Sequence, residues 1–179
     1  MKPKYGGLLV LLVATGSALA STVIPLSLTT LARKAEVIVV GRCLASKVVW
    51  NADHSRIYTD WTVALEQTVK GAPGAKLVVR QLGGELDGKG MTAAGVVKLE
   101  AGEEVVLFLG PGQEQGVRRI LGLSQGQFPV GTDPQTGQKL VQENPAWAGA
   151  AKSQAGNQPV PIPLDQFLAQ VRQALEVKP

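Results

Sequence analysis

"VVWNADHSRIYTDW", residues 48–61, contains the chain's only histidine, two of its three tryptophans and one of its two tyrosines. Such crowding fits either an active site or the tip and flanks of a β-hairpin. The flanking pattern separates the two. From Ile57 onward, Ile57, Thr59, Trp61, Val63 and Leu65 fall on one face, and Tyr58, Asp60, Thr62, Ala64 and Glu66 on the other. That period of two belongs to a half-buried strand. Upstream, Val37 to Trp50 is rich in β-branched residues, starts as an unbroken apolar run and then becomes mixed, as expected of a long strand that leaves a buried region. Gly41 within it marks a bulge or bend. The intervening "NADHS" is short and polar, the composition of a turn. The expectation is a hairpin with Trp61 in the core and His54 exposed at the tip.

Further strands are expected at 77–82, 104–109, 117–123, 127–131 and 139–142. "TDPQTG", 132–137, places proline and glycine where a turn between the last two needs them. A short helix is expected at 26–34. A longer amphipathic one follows from Leu164, Phe167, Leu168, Val171 and Leu175, which recur at helical spacing. Several short strands without alternating helices indicate a mainly β fold, a small barrel or sandwich, with a short N-terminal helix and a C-terminal amphipathic helix docked on it.

The first twenty residues place Lys2 and Lys4 before an apolar run and end in Ala18-Leu19-Ala20. This is the layout of a cleavable secretory signal with an A-x-A site. The apolar run is shorter than the roughly 20 residues that span a bilayer, so no stable membrane insertion is expected. No cysteine follows the cleavage site to accept a lipid. The expected organisation is a signal at 1–20, a β-barrel domain at 21–142, a Pro/Gly/Ala-rich linker at 143–163 and a terminal helix at 164–179. Loss of Lys2 and Lys4 lowers the formal charge of +4 to about +2. Arg118-Arg119 is the only adjacent arginine pair in the remainder and is read as part of a solvated strand face. Without a basic stripe interleaved with aromatics, nucleic acid is not an expected partner.

Catalytic signatures fail on context. "GLSQG", 122–126, matches the G-x-S-x-G nucleophile elbow, which needs a helix after it and a later histidine. Here an extended "QFPV" follows, and His54 lies upstream. Cys43 is the sole cysteine and lies in an apolar strand. Eight residues at roughly 3.3 Å each set it about 26 Å from the hairpin tip, too far to pair with His54. One cysteine and one histidine exclude the usual zinc sets. "LDGKG" with Glu85 and Asp87 lacks the ligand spacing of an EF-hand, and "GPGQEQG" has no following G-K-[ST]. No catalytic residue, metal or cofactor is expected.

Ala35-Glu36-Val37-Ile38-Val39-Val40-Gly41, Val69-Lys70-Gly71, Gly83-Gly84 and Gly102-Glu103-Glu104-Val105-Val106-Leu107-Phe108-Leu109 together resemble a group of small exported bacterial proteins of unknown function. More distantly, the A-x-x-I-x-x-G opening (Ala35, Ile38, Gly41) and the V-K-G ending resemble the netrin-like barrels of tissue inhibitors of metalloproteinases. The resemblance covers residues 30–130 and implies an OB-like fold. Those inhibitors reach the protease zinc through an N-terminal Cys-x-Cys, whereas this mature chain should begin Ser21-Thr22-Val23, so the inhibitory mechanism is not implied.

The expected function is an exported, non-enzymatic module that binds a protein partner, secreted or periplasmic. An envelope structural or assembly protein is the alternative, and a hydrolase or inhibitor fits less well. The candidate partner-binding residues are Gly83, Gly84, Glu85, Asp87, Lys89 and Met91, in a glycine-rich stretch read as a long loop on a rigid scaffold.

Overall fold

The computed structural model describes residues 26–113, 116–142 and 161–176. Its central feature is the expected hairpin. β1 (Val37–Trp50) and β2 (Ile57–Lys70) run antiparallel from Trp50↔Ile57 beside the turn to Ile38↔Lys70 at the far end. The ladder slips at Ile38/Val39, Val40/Gly41 and Cys43/Ala45, and such bulges let long strands coil. Gly41 is required at one of them, because a Cβ there would lie 2.7 Å from both the Ala64 carbonyl oxygen and Val63 Cγ1.

The other strands are β3 (Lys76–Leu82), β4 (Gly84–Leu86), β5 (Lys89–Met91), β6 (Glu104–Leu109), β7 (Val117–Arg119), β8 (Gln127–Thr132), β9 (Lys139–Val141) and β10 (Ile162–Pro163). Helix α1 (Leu28–Lys34) precedes β1, and α2 (Leu164–Glu176) follows β10. Eight strands form one sheet in the order β10-β9-β8-β6-β1-β2-β3-β7, and β4 and β5 pair only with each other. Within the eight-stranded sheet every pairing is antiparallel except β3 with β7. The sheet order is open. A single antiparallel bridge, Leu109↔Ile120, and the Gly110 N–H donating to Arg119 O (2.9 Å) link the residues around the end of β7 to the end of β6.

Both faces of the sheet centre are covered. Val37, Val39 and Cys43 of β1 share one cluster with Trp61, Val63, Val79, Leu99, Val105, Leu107 and Leu109. Ile38 and Val40 turn the other way, to Val106, Phe108, Phe128, Leu31 of α1, and Phe167, Leu168 and Val171 of α2. Two-sided burial is why Val37–Val40 and Val105–Leu109 read as unbroken apolar runs. The rings of Phe108, Phe128 and Phe167 meet with centroids 4.9–6.4 Å apart, which seats α2 on the sheet. At α1, Ser27 Oγ accepts from Thr30 N–H (3.1 Å) as N-cap. At its other end Lys70 Nζ donates to the carbonyls of Ala32 (2.9 Å) and Arg33 (3.2 Å), a cation placed where the helix dipole favours it.

The mainly β architecture with one helix at each end matches expectation. Helix α1 begins at Leu28 rather than residue 26, behind its cap. The strand expected at 117–123 ends at Arg119, because Gly122 (φ 61°) and Leu123 (φ 65°) adopt left-handed backbone that breaks the alternation. The stretch 83–95 is not simply a long loop. Asp87 (φ 52°) and Gly88 (φ 70°) form the tight turn of the β4–β5 hairpin, the positive-φ pair that favours Asp-Gly. Residues 1–20 and most of the expected linker, 143–160, lie outside the described residues. The linker's end is strand β10, paired with β9 through Ile162↔Val141 and Pro163↔Leu140. Among the described residues no helix is long and apolar enough to cross a membrane.

Candidate functional site

β6 pairs with β1 only as far as Arg42, so the distal half of the β1–β2 hairpin extends past the sheet centre. The segment 83–99 lies against it. Gly83 N–H donates to Ile57 O (2.8 Å), and Thr59 Oγ1 donates to Gly83 O (2.8 Å). Gly84 (φ 143°) then crosses so close that a Cβ would lie 2.9 Å from both Thr59 Oγ1 and Val48 Cγ1. Between segment and hairpin lies a cavity of about 340 Å³, with Val48, Trp61, Met91, Ala93, Val96 and Leu99 as its apolar lining and Ser46, Thr59, Glu85, Thr92 and Lys98 as polar lining. An apolar pocket with a few polar groups is the usual form of a binding site, and this volume is at the small end of the range.

The candidate residues divide between two places. Gly83, Gly84, Glu85 and Met91 line the cavity. Asp87 and Lys89 are not in that lining and instead hold Trp50: its Nε1–H donates to Asp87 Oδ2 (2.9 Å), and Lys89 Nζ lies 5.7 Å from its ring centroid. The Trp50 ring is also 5.8 Å from that of His54, so the tips of both hairpins meet. His54 is exposed with φ 56°. Trp61 is 8% exposed and belongs to the core cluster while forming part of the cavity wall.

The far wall is fixed by polar groups at positions the apolar pattern did not single out. Gln81 Nε2–H donates to Val97 O (2.8 Å) and to Gln127 Oε1 (3.2 Å), while its Oε1 accepts from Leu99 N–H (3.1 Å). Ser124 Oγ accepts from Val97 N–H at 2.5 Å. Ser124 is wholly buried, and β8 rather than a helix follows its turn, so "GLSQG" lacks elbow geometry and Ser124 anchors the segment. In the same turn, Gln125 N–H donates to Gly122 O (3.2 Å).

Cys43 is wholly buried, and burial first, then the Glu103 carboxylate, pushes its thiol up to about 12. At neutral pH it lacks the thiolate that nucleophilic chemistry needs. Among the described residues, no three of His, Cys, Asp and Glu cluster as a metal site.

A second constellation escaped the sequence. On β2 and β3, Asp60 accepts from Arg80 Nε–H and Nη2–H, both at 2.6 Å, and this hydrogen bond, more than the accompanying charge, holds the guanidinium above its ordinary range despite partial burial. The guanidinium carbons of Arg80 and Arg119 lie 5.4 and 5.5 Å from the Tyr58 ring centroid. The Arg118-Arg119 pair is therefore not simply a solvated face: Arg118 is 18% exposed, donates to Gly110 O (2.9 Å) and pairs with Glu36 (3.4 Å). Alternation sends the two neighbours to opposite sides. The parallel β3–β7 register, Arg80↔Arg119, is what unites residues so distant in the chain. No protein-family model matches the chain, and no curated protein sequence matches it.

Proposed function

We propose that the chain is an exported, non-enzymatic binding module whose Trp61 cavity takes an apolar side chain of a protein partner. The observation that carries this reading is the cavity of about 340 Å³ under the segment 83–99, apolar at Trp61 and Met91 and polar at Ser46, Thr59 and Glu85. Rigid walls favour recognition, because little ordering cost then falls on binding. The buried Gln81 and Ser124 contacts and the close fit at Gly84 supply that rigidity.

The proposal extends to an OB-like barrel built from β1, β2, β3, β7 and β6. Its support is the return path from β7 to β6 through the Leu109↔Ile120 bridge, with β6 paired in turn to β1 and with β3 and β7 parallel. Strands β8 to β10 then extend β6. This arrangement is in keeping with the netrin-like resemblance, and export rests on the leader-like layout of residues 1–20. The alternative of an assembly protein working through its terminal helix has less support, since the apolar face of α2 is buried in the fold.

Ala93 lines the cavity, so Ala93→Trp fills it from the rim. In cross-linking pull-downs from the native envelope fraction, the wild-type chain is expected to retain a protein partner that Ala93→Trp loses, with circular dichroism unchanged. Equal capture by both overturns the cavity as the binding site, and turnover of a substrate overturns the non-enzymatic reading.

A further inference from the structure

Beside Tyr58 lies a second cleft, of about 260 Å³, formed by Arg56 and the start of β2, the end of β3, and the end of β7 with the residues that follow it. Arg56, Arg80 and Arg119 all line it, but only Arg80 is neutralised, by its two-point contact with Asp60. Among the described residues no carboxylate pairs with Arg56 or Arg119. The cleft therefore presents two guanidinium groups that no carboxylate among the described residues pairs with. Leu123 lines the same cleft, is 46% exposed, and holds a left-handed backbone of φ 65°. Leucine seldom adopts that conformation, and an outlier of this kind points to a role for the side chain it displays.

The geometry points to a second binding site at Arg56, Arg119 and Leu123, one that takes a peptide segment in which an acidic side chain adjoins an aliphatic one. The Arg119 fork matches a carboxylate in two-point contact, and the exposed Leu123 side chain offers the apolar surface beside it. A nucleic acid fits less well. Tyr58 is 8% exposed and covered by two guanidinium groups, so it offers no open ring for base stacking. The site stands on the cleft residues alone, whether or not the Trp61 cavity takes a ligand.

The test is a nuclear magnetic resonance titration of the full chain, read at the arginine Nε–H and Leu123 methyl signals, with three probes: Ac-Glu-Leu-NH2, Ac-Gln-Leu-NH2 and inorganic phosphate. The glutamyl peptide is expected to shift the Arg56, Arg119 and Leu123 signals and to bind about threefold more tightly than the glutaminyl one, as a part-exposed charge contact allows. Added salt should remove that preference. Arg119→Gln should reduce the glutamyl peptide to the level of the glutaminyl one. Leu123→Gly, which suits the left-handed backbone, should weaken both. Ala93→Trp should leave all of this unchanged, which separates failure here from failure of the Trp61 cavity. Equal binding of the two peptides, absence of shifts, or phosphate reproducing them independently of Leu123 would overturn the assignment.

Discussion

At Trp61 the ring is 8% exposed and shares a cluster with Val63, Val79 and Leu99. His54, from the same hairpin, is exposed in the turn. Trp61→Ala is therefore expected to cost about 3–5 kcal/mol, a large part of a typical domain's stability. His54→Ala should cost no more than about 1 kcal/mol, since it keeps a Cβ in the same left-handed backbone and removes only an exposed ring lying 5.8 Å from that of Trp50. Denaturant unfolding with unchanged m-values measures both. A neutral Trp61→Ala that abolished partner binding would instead make the ring a recognition surface. The core role of Trp61 was legible because its phase agreed with Ile57 and Val63. The double life of Tyr58 was not: the alternation put it on the wet face, yet it is 8% exposed, covered by arginines from two other strands.

At the scale of elements, long strands with one or two buried faces declared themselves, and short ones did not. β4, "GEL", and β5, "KGM", are three residues each, too short to show a period and made with glycine. The signal that could have revealed them was Asp87-Gly88, the favoured pair of a two-residue hairpin. Of the six candidate residues, chosen as part of a glycine-rich loop, Gly83, Gly84, Glu85 and Met91 line the cavity, whereas Asp87 and Lys89 lie on the turn side and clasp Trp50. Two glycines of this hairpin give a contrast that depends on packing. Gly88 (φ 70°) has nothing within 4 Å of a notional Cβ, whereas Gly84 (φ 143°) has Thr59 and Val48 at 2.9 Å. Gly88→Ala is expected to cost about 1 kcal/mol through backbone conformation alone. Gly84→Ala should cost more, about 2–3 kcal/mol, and displace the hairpin from β1 and β2. Denaturant unfolding reads the energies, and amide exchange at Gly83 and Ile57 contacts reads the displacement.

Across the whole molecule, Arg42, Glu66, Glu104 and Lys139 link β1, β2, β6 and β9 in one ion-pair network, from Lys139–Glu104 at 2.6 Å to Arg42–Glu66 and Lys139–Glu66 at 3.1 Å. Sequence could not show it, because it exists only once strand order is set. Burial pushes the Glu66 carboxyl up, but Lys139 and then Arg42 outweigh it and hold it below its usual range. Its contribution is present above the ordinary glutamate pKa and is lost as pH falls through the lower folded value. Glu103 is the opposite case, raised by burial first and then by Glu100, against a backbone hydrogen bond. There the folded state holds the proton longer, so stability falls as pH rises from the ordinary glutamate pKa through the folded one. Glu103→Gln is thus expected to raise Tm at pH 7, an advantage that vanishes well below about pH 4.3, while Glu66→Gln should lower Tm at pH 7. Thermal unfolding across that range checks both signs. The order of the strands has one more effect. An open sheet exposes rows of unpaired N–H and C=O groups that can recruit a strand from another copy. At one border of the sheet, among the described residues, the outermost strand is only Ile162–Pro163, preceded by Pro161 and running straight into α2. Proline has no N–H to offer, so this border gives an incoming chain almost nothing to zip onto, a built-in guard against self-templated aggregation.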